Sequence, residues 1–143
     1  MALRVLSPLH KASRQLTLHL AARTRGLGVS PTEGHLLTYL RRYAPAPVGE
    51  LSRVFGTKQS TLTSILDRLE RDGLLRRLPN AADRRSFLLR LTPKGRSLAT
   101  RLQRVLVALE RDIGRRVSAR DQAGFEAVMA AVDAVTGVRV RER

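Results

Sequence analysis

The sequence has no cysteine and no tryptophan among its 143 residues. Without a thiol there can be no disulfide framework, no thiolate metal site, no cysteine nucleophile and no thiol redox switch. Histidine is scarce as well: His10, His19 and His35 are the only three, so neither a metal centre nor any other cofactor is expected. Two tyrosines and three phenylalanines are too few for the aromatic platforms on which RNA bases stack. No stretch approaches the ~18 to 20 apolar residues of a membrane span, and the start, Met1-Ala-Leu-Arg-Val-Leu-Ser-Pro8, is too short an apolar run for a secretory signal. A soluble, cytoplasmic chain with no membrane partner is expected. Catalytic signatures are missing too. There is no glycine-rich phosphate loop, no HExxH and no GxSxG, and Glu70 and Asp72 read as surface charge at a helix end, so an enzyme is not expected.

Negative charge is the other shortage. Twelve acidic residues face 27 basic ones, a formal charge of +15 and a pI near 11.8, which self-repels unless a polyanion is the partner or the protein is merely a soluble basic one. Nucleic acid is the first candidate. The surplus is also concentrated: between Leu74 and Arg104 there are nine basic residues and one acidic, +8 of the total.

Apolar residues make up 43% of the chain and charged residues 27%, as in ordinary globular domains, so one compact domain is expected. Helices dominate the pattern. Ser7-Pro8 reads as the cap and first residue of a helix running to Arg25, with Leu9, Ala12, Leu16 and Leu20 in its stripe and Gly26 as its stop. Ser30-Pro31-Thr32-Glu33 is a capping box for a second helix, with Leu36, Leu37 and Leu40 as core, ending near Ala44. Pro45 and Pro47 break the chain. Val48, Leu51 and Val54 or Phe55 make a short third helix, and Gly56-Thr57 supplies the turn and cap for a fourth.

On that fourth helix Leu62, Ile65, Leu66 and Leu69 fall on one face, and Ser60, Ser64, Asp67 and Arg71 on the other. Beyond Gly73 the period changes to strand-like runs, Leu74 to Leu78 and Phe87 to Leu91, joined by a basic tip. Such a hairpin beside a helix-turn-helix can carry its arginines over a phosphate ridge into a minor groove, although a solvated charged turn would look the same. Thr92-Pro93 then opens a long fifth helix with Leu98, Leu102, Val105, Leu109 and Ile113, and Ser118 a sixth with Phe125, Val128, Met129, Val132 and Val135.

The expected fold is therefore mainly α with a small β-hairpin wing: a winged helix-turn-helix over residues 30–92, flanked by long dimerisation helices in 1–29 and 93–143. The first, fifth and sixth helices carry more apolar stripe than the centre can cover, so Leu9, Leu16, Leu102, Leu109, Ile113, Phe125, Val128 and Val132 are expected to bury against a second copy. An intramolecular bundle of the two ends is the alternative.

These residues resemble the MarR-type winged-helix transcriptional regulators. The likeness runs through Leu27-Gly-Val-Ser-Pro-Thr32, Val48-Gly-Glu-Leu-Ser52, Ser60-Thr-Leu-Thr63 and Leu69-Glu-Arg-Asp-Gly73. It is most specific in Asp83-Arg-Arg-Ser-Phe-Leu-Leu-Arg-Leu-Thr92-Pro-Lys-Gly95. The resemblance implies a homodimer with intertwined terminal helices, recognition helices in successive major grooves of a pseudo-palindromic double-stranded DNA site, and wings in the flanking minor grooves.

Carried over, Arg85 becomes the minor-groove arginine, oriented by a charge-assisted pair with Asp83, while Arg84 and Arg77 clamp phosphates. Thr57, Lys58, Gln59, Ser60, Thr61, Thr63 and Ser64 bring the recognition helix to base edges or neighbouring phosphates. Many relatives resemble Thr-Arg where this chain has Thr63-Ser64, which moves base reading toward Gln59, Arg68 or DNA shape. The resemblance also implies a pocket for a small aromatic or phenolic anion. His19, His35 and Tyr39 are candidates to line it, against the plainer reading of capped or surface histidines. The function expected is a sequence-specific regulator, a repressor released by such a ligand, with a sequence-neutral architectural nucleic-acid-binding protein as the alternative.

Overall fold

A computed structural model of the chain describes residues 1–137, so 138–143 of the expected C-terminal region lie outside the described residues. Nine elements follow in order: α1 Leu6–Arg23, α2 Pro31–Tyr43, β1 Ala46–Pro47, α3 Val48–Phe55, α4 Gln59–Arg71, β2 Leu75–Pro79, β3 Phe87–Leu91, α5 Pro93–Gly114 and α6 Ala119–Thr136. Six helices and a three-stranded antiparallel sheet make the expected α-rich winged fold.

The core is leucine packed from every central element. Leu36, Leu37 and Leu40 of α2, Leu51 of α3, Leu62, Leu66 and Leu69 of α4, Leu75 and Leu89 of the hairpin, and Ala99 and Leu102 of α5 are all buried. At roughly 1.5–3 kcal/mol for each fully buried large side chain, this cluster is the main favourable term in the fold. α2 starts at the expected capping box: Ser30 Oγ accepts from the Glu33 amide at 3.2 Å, and Glu33 Oε2 accepts from the Ser30 amide at 2.8 Å.

Several boundaries differ from expectation. α1 begins at Leu6 with Val5 as its cap, so Ser7 and Pro8 sit inside the first turn, where a missing proline N–H costs no helical bond. It ends at Arg23, with Thr24 as its C-cap donating both its amide and its Oγ1 to the Leu20 carbonyl, the hydroxyl at 2.8 Å. Thr57 does not cap α4. Its hydroxyl donates to the Phe55 carbonyl at 3.3 Å, and the cap position is Lys58, which makes no side-chain cap bond.

The prolines read as a break hide a strand. Ala46 pairs with Leu89 and Pro47 with Leu88, which places β3 in the middle of the order β1-β3-β2. Proline is admissible there because β1 is an edge strand.

α1 and α6 contain no buried residue, and α5 buries only Gly95, Ala99 and Leu102. Leu16, Ile113, Phe125 and Val128 are exposed, and Leu9, Leu109 and Val132 are half-buried. Leu102 departs from its expected dimer role. It is 4% exposed and packs within the protomer, its Cδ2 lying 3.5 Å from where a Cβ on Gly34 would stand.

Candidate nucleic-acid interface

α4 buries Leu62, Leu66 and Leu69 and turns its polar face outward. Lys58, Gln59, Ser60, Thr61, Thr63 and Ser64 are exposed, and Thr57 is half-buried at the approach. Thr63 Oγ1 donates to the Gln59 carbonyl at 2.8 Å and Ser64 Oγ to the Ser60 carbonyl at 3.2 Å, so both hydroxyls turn acceptor lone pairs outward. With no side-chain cap at Lys58, the first-turn amides of α4 remain available to an acceptor such as a phosphate.

The hairpin is in register Leu75 to Leu91, Arg76 to Arg90, Arg77 to Leu89, Leu78 to Leu88 and Pro79 to Phe87. Its tip is held by polar turn bonds: the Ala82 amide donates to Asn80 Oδ1 at 3.1 Å, the Ser86 amide to the Asp83 carbonyl at 3.0 Å, and Asn80 Nδ2 to Ser86 Oγ at 2.8 Å. Asp83 orients Arg85, though not as expected. Its Oδ1 accepts from the Arg85 backbone amide at 3.0 Å, an Asx-type turn, and the guanidinium stays out of the pair. Arg84 and Arg85 are exposed, with no side-chain ion pair among the described residues.

Arg77 is a correction. Its guanidinium bridges Asp67 at 2.6 Å and Glu70 at 2.5 Å instead of standing ready for a phosphate. Burial alone would lower its pKa, and the hydrogen bonds and charges of Asp67 and Glu70 more than reverse that, leaving it raised. Asp67 shares the polar face of α4 with Ser60 and Ser64. The Arg77 bridge therefore fixes the root of the wing against the flank of that face.

Arg68 is also engaged. Its guanidinium pairs with the buried carboxylate of Glu33, so it is tied to the start of α2. Sequence reading missed Arg76 and Arg90 as a unit. They are exposed and directly opposite across the hairpin, a like-charged pair that only strand register reveals.

The three expected pocket residues do not share one cavity, although His35 and Tyr39 line a common groove with Arg41 and Arg42. His35 lines a cavity of about 230 Å³ with Thr17, Leu20, Thr24, Thr38 and Leu106, between α1, α2 and α5. His19 faces a separate groove between α1 and α5. Tyr39 is a core residue. Its hydroxyl donates to Glu50, and its ring lies 4.7 Å from Tyr43 and 5.7 Å from Phe55, centroid to centroid. Among the described residues no group of three His, Asp or Glu side chains could hold a metal ion, and no helix is long and apolar enough to cross a membrane.

An outward polar helix after a tight turn, a bridged basic hairpin behind it and long flanking helices define a winged helix-turn-helix protein. The MarR family model matches residues 29–87. The multiple antibiotic resistance protein MarR of Salmonella typhimurium is 31% identical over 101 residues, 70% of each chain. The HTH-type transcriptional regulator PecS of Dickeya dadantii is 38% identical over 109 residues, a match covering 73% of this chain and 65% of PecS. This chain belongs to the MarR family. Among solved structures, the S. aureus MepR–DNA complex superimposes with a TM-score of 0.80 at 17% identity, covering 91% of this chain and 96% of that one. An E. coli MarR mutant complexed with operator DNA gives 0.77 at 24% identity, covering 91% and 94%.

Proposed function

We propose that this chain is a sequence-specific transcriptional regulator that binds pseudo-palindromic operator DNA as a homodimer, acting in the cytoplasm as a repressor. One observation carries the reading: the Arg77 bridge holds the hairpin that bears the uncommitted Arg84 and Arg85 against the flank of the polar face of α4. Polar side chains and open amides on a helix suit a major groove, and unpaired guanidinium groups on a hairpin tip suit the negative potential of a minor groove. Relatives of the same fold have been solved on DNA.

The apolar faces of α1, α5 and α6 suit a second copy better than solvent, with Leu9, Leu16, Leu109, Ile113, Phe125, Val128 and Val132 in the seam. In this reading residues 30–92 read DNA, while 1–29 and the chain from 93 onward dimerise. Leu102 locks the two regions together through α2. The cavity beside His35 is the place for a releasing ligand. Its lining includes no arginine or lysine, and the hydroxyls of Thr17, Thr24 and Thr38 already donate to helix carbonyls, so it offers acceptors. The His35 ring and the Thr32 hydroxyl add donors, so a phenol, which both donates and accepts, suits it.

Selecting bound fragments from the source genome, then competing the best against a scrambled duplex in a gel shift, tests this. A regulator should prefer its site by ~10³ or more at physiological salt. Equal binding to both would instead mean an architectural protein.

A further inference from the structure

Residues on α4 rotate by about 100° each, which puts Arg68 and Glu70 roughly 80° to either side of Ser60. Both flanks are tied down. On one, Glu70 and Asp67 hold Arg77 of the wing root; on the other, Arg68 reaches the capping carboxylate of α2. The second tie is the less ordinary. Glu33 is 3% exposed, its Oε2 is spent on the Ser30 amide, and its buried Oε1 has the Arg68 guanidinium as counter-charge but no hydrogen-bond partner among the described residues. The Arg68 side chain is itself 54% exposed, so a surface arginine supplies the counter-charge of an interior carboxylate.

We propose that Glu33 and Arg68 form a positioning pair that sets the rotation of α4 about its axis, and that Arg68 acts on DNA through this pair and not by touching it. Leu62, Leu66 and Leu69 fix how deeply α4 sits and which face it buries, and the ion pair refines its rotation at the exposed flank. A buried carboxylate at a helix cap, with its other oxygen committed, is a fixed anchor that needs a counter-charge, and the ion pair with Arg68 ties one flank of α4 to it. Rotation of α4 decides whether Gln59, Ser60 and Ser64 meet base edges. Non-specific attraction, which comes from the net charge of the surface, does not depend on it. The inference rests on the reading that α4 faces DNA.

The test uses the full-length chain and a duplex that wild type has itself selected from a random-sequence library, with a scrambled duplex beside it. Dissociation constants are measured by fluorescence anisotropy across a salt series for Glu33→Gln, Arg68→Gln and the double variant. Glutamine at 33 keeps the acceptor for Ser30 and removes the charge, and the double variant leaves neither charge of the pair unpaired. A positioning pair predicts that each single variant lowers the preference for the selected over the scrambled duplex by about tenfold while the salt slope stays unchanged, and that the double variant is no worse than either single one.

A direct phosphate contact predicts otherwise: Arg68→Gln would lower the salt slope by about one and weaken both duplexes, with Glu33→Gln harmless, and that overturns the proposal. Lower melting temperatures with unchanged selectivity would overturn it as well. Should wild type itself show no preference for its selected duplex, the DNA-reading role of α4 fails first and the proposal with it.

Discussion

A Cβ placed on Gly95 would stand 1.8 Å from the carbonyl oxygen of Leu74. The first turn of α5 therefore lies directly on the chain leaving α4. Thr92 completes the junction: its hydroxyl donates to the Gly73 carbonyl at 2.6 Å and accepts from the Gly95 amide at 3.0 Å. This is where the winged helix-turn-helix meets the long helix. Because the obstruction is backbone and not a movable side chain, Gly95→Ala should cost at least about 1–3 kcal/mol, the usual range for overpacking. Urea melts should show a lower midpoint with an unchanged slope; an unaltered midpoint would mean the junction is looser than the geometry indicates.

The assembly prediction uses Phe125, which is 59% exposed, so that changing it leaves the protomer core intact. Light scattering of the wild type should give about twice 15.9 kDa, and Phe125→Glu should give a folded monomer that binds DNA weakly. A wild-type monomer at micromolar concentration contradicts the seam.

Arg76 and Arg90 yield a prediction in which stability and binding move oppositely. Like charges directly opposite on a hairpin repel, so Arg76→Glu should turn a repulsive pair into an attractive one and stabilise the fold by about 0.2–1 kcal/mol. The same change removes a cation from the basic hairpin and should weaken DNA binding. A thermal melt and a DNA titration on one preparation decide it. A variant that loses both contradicts the hairpin register.

How much of this was legible beforehand depends on the range of the interaction. Ser30 and Glu33 are three residues apart, so the capping box that starts α2 could be read locally. The core face of α4 and the exposed wing arginines were equally readable from periodicity and from their place at a turn. What escaped was decided at a distance. β1 exists because Ala46 and Pro47 find β3 some forty residues on, although proline argues locally for a break. Arg68 and Arg77 looked like DNA contacts because a sequence shows a cation without showing its partner, and the partner of Arg68 lies on another helix. Leu102 belongs to an unbroken apolar stripe on α5, and only packing against Gly34 separates the turn that faces the core from the turns that face outward.

The start of α6 should respond to acid. Ser118 donates through its hydroxyl and then its backbone amide to the Asp121 carboxylate, which holds that carboxyl below its ordinary range. A depressed carboxylate contributes stability above its unfolded pKa and loses it as pH falls through the folded value. Below the usual carboxylate range the first turn of α6 should therefore fray. By NMR titration, Ser118→Ala should move the Asp121 midpoint upward. An unmoved midpoint would contradict the cap.

If a wing and a helix hold DNA together, Arg85 isolates the share of the wing. Its side chain is exposed and its backbone is fixed by Asp83, so Arg85→Ala should leave the fold unchanged. The decisive measurement is the affinity of wild type and Arg85→Ala for the selected duplex over a salt series. A wing in the minor groove predicts a weaker variant with a shallower salt slope, by about 0.9 for each phosphate charge no longer neutralised, and the largest losses on A·T-rich flanks. Identical affinities and slopes for the two proteins would contradict it.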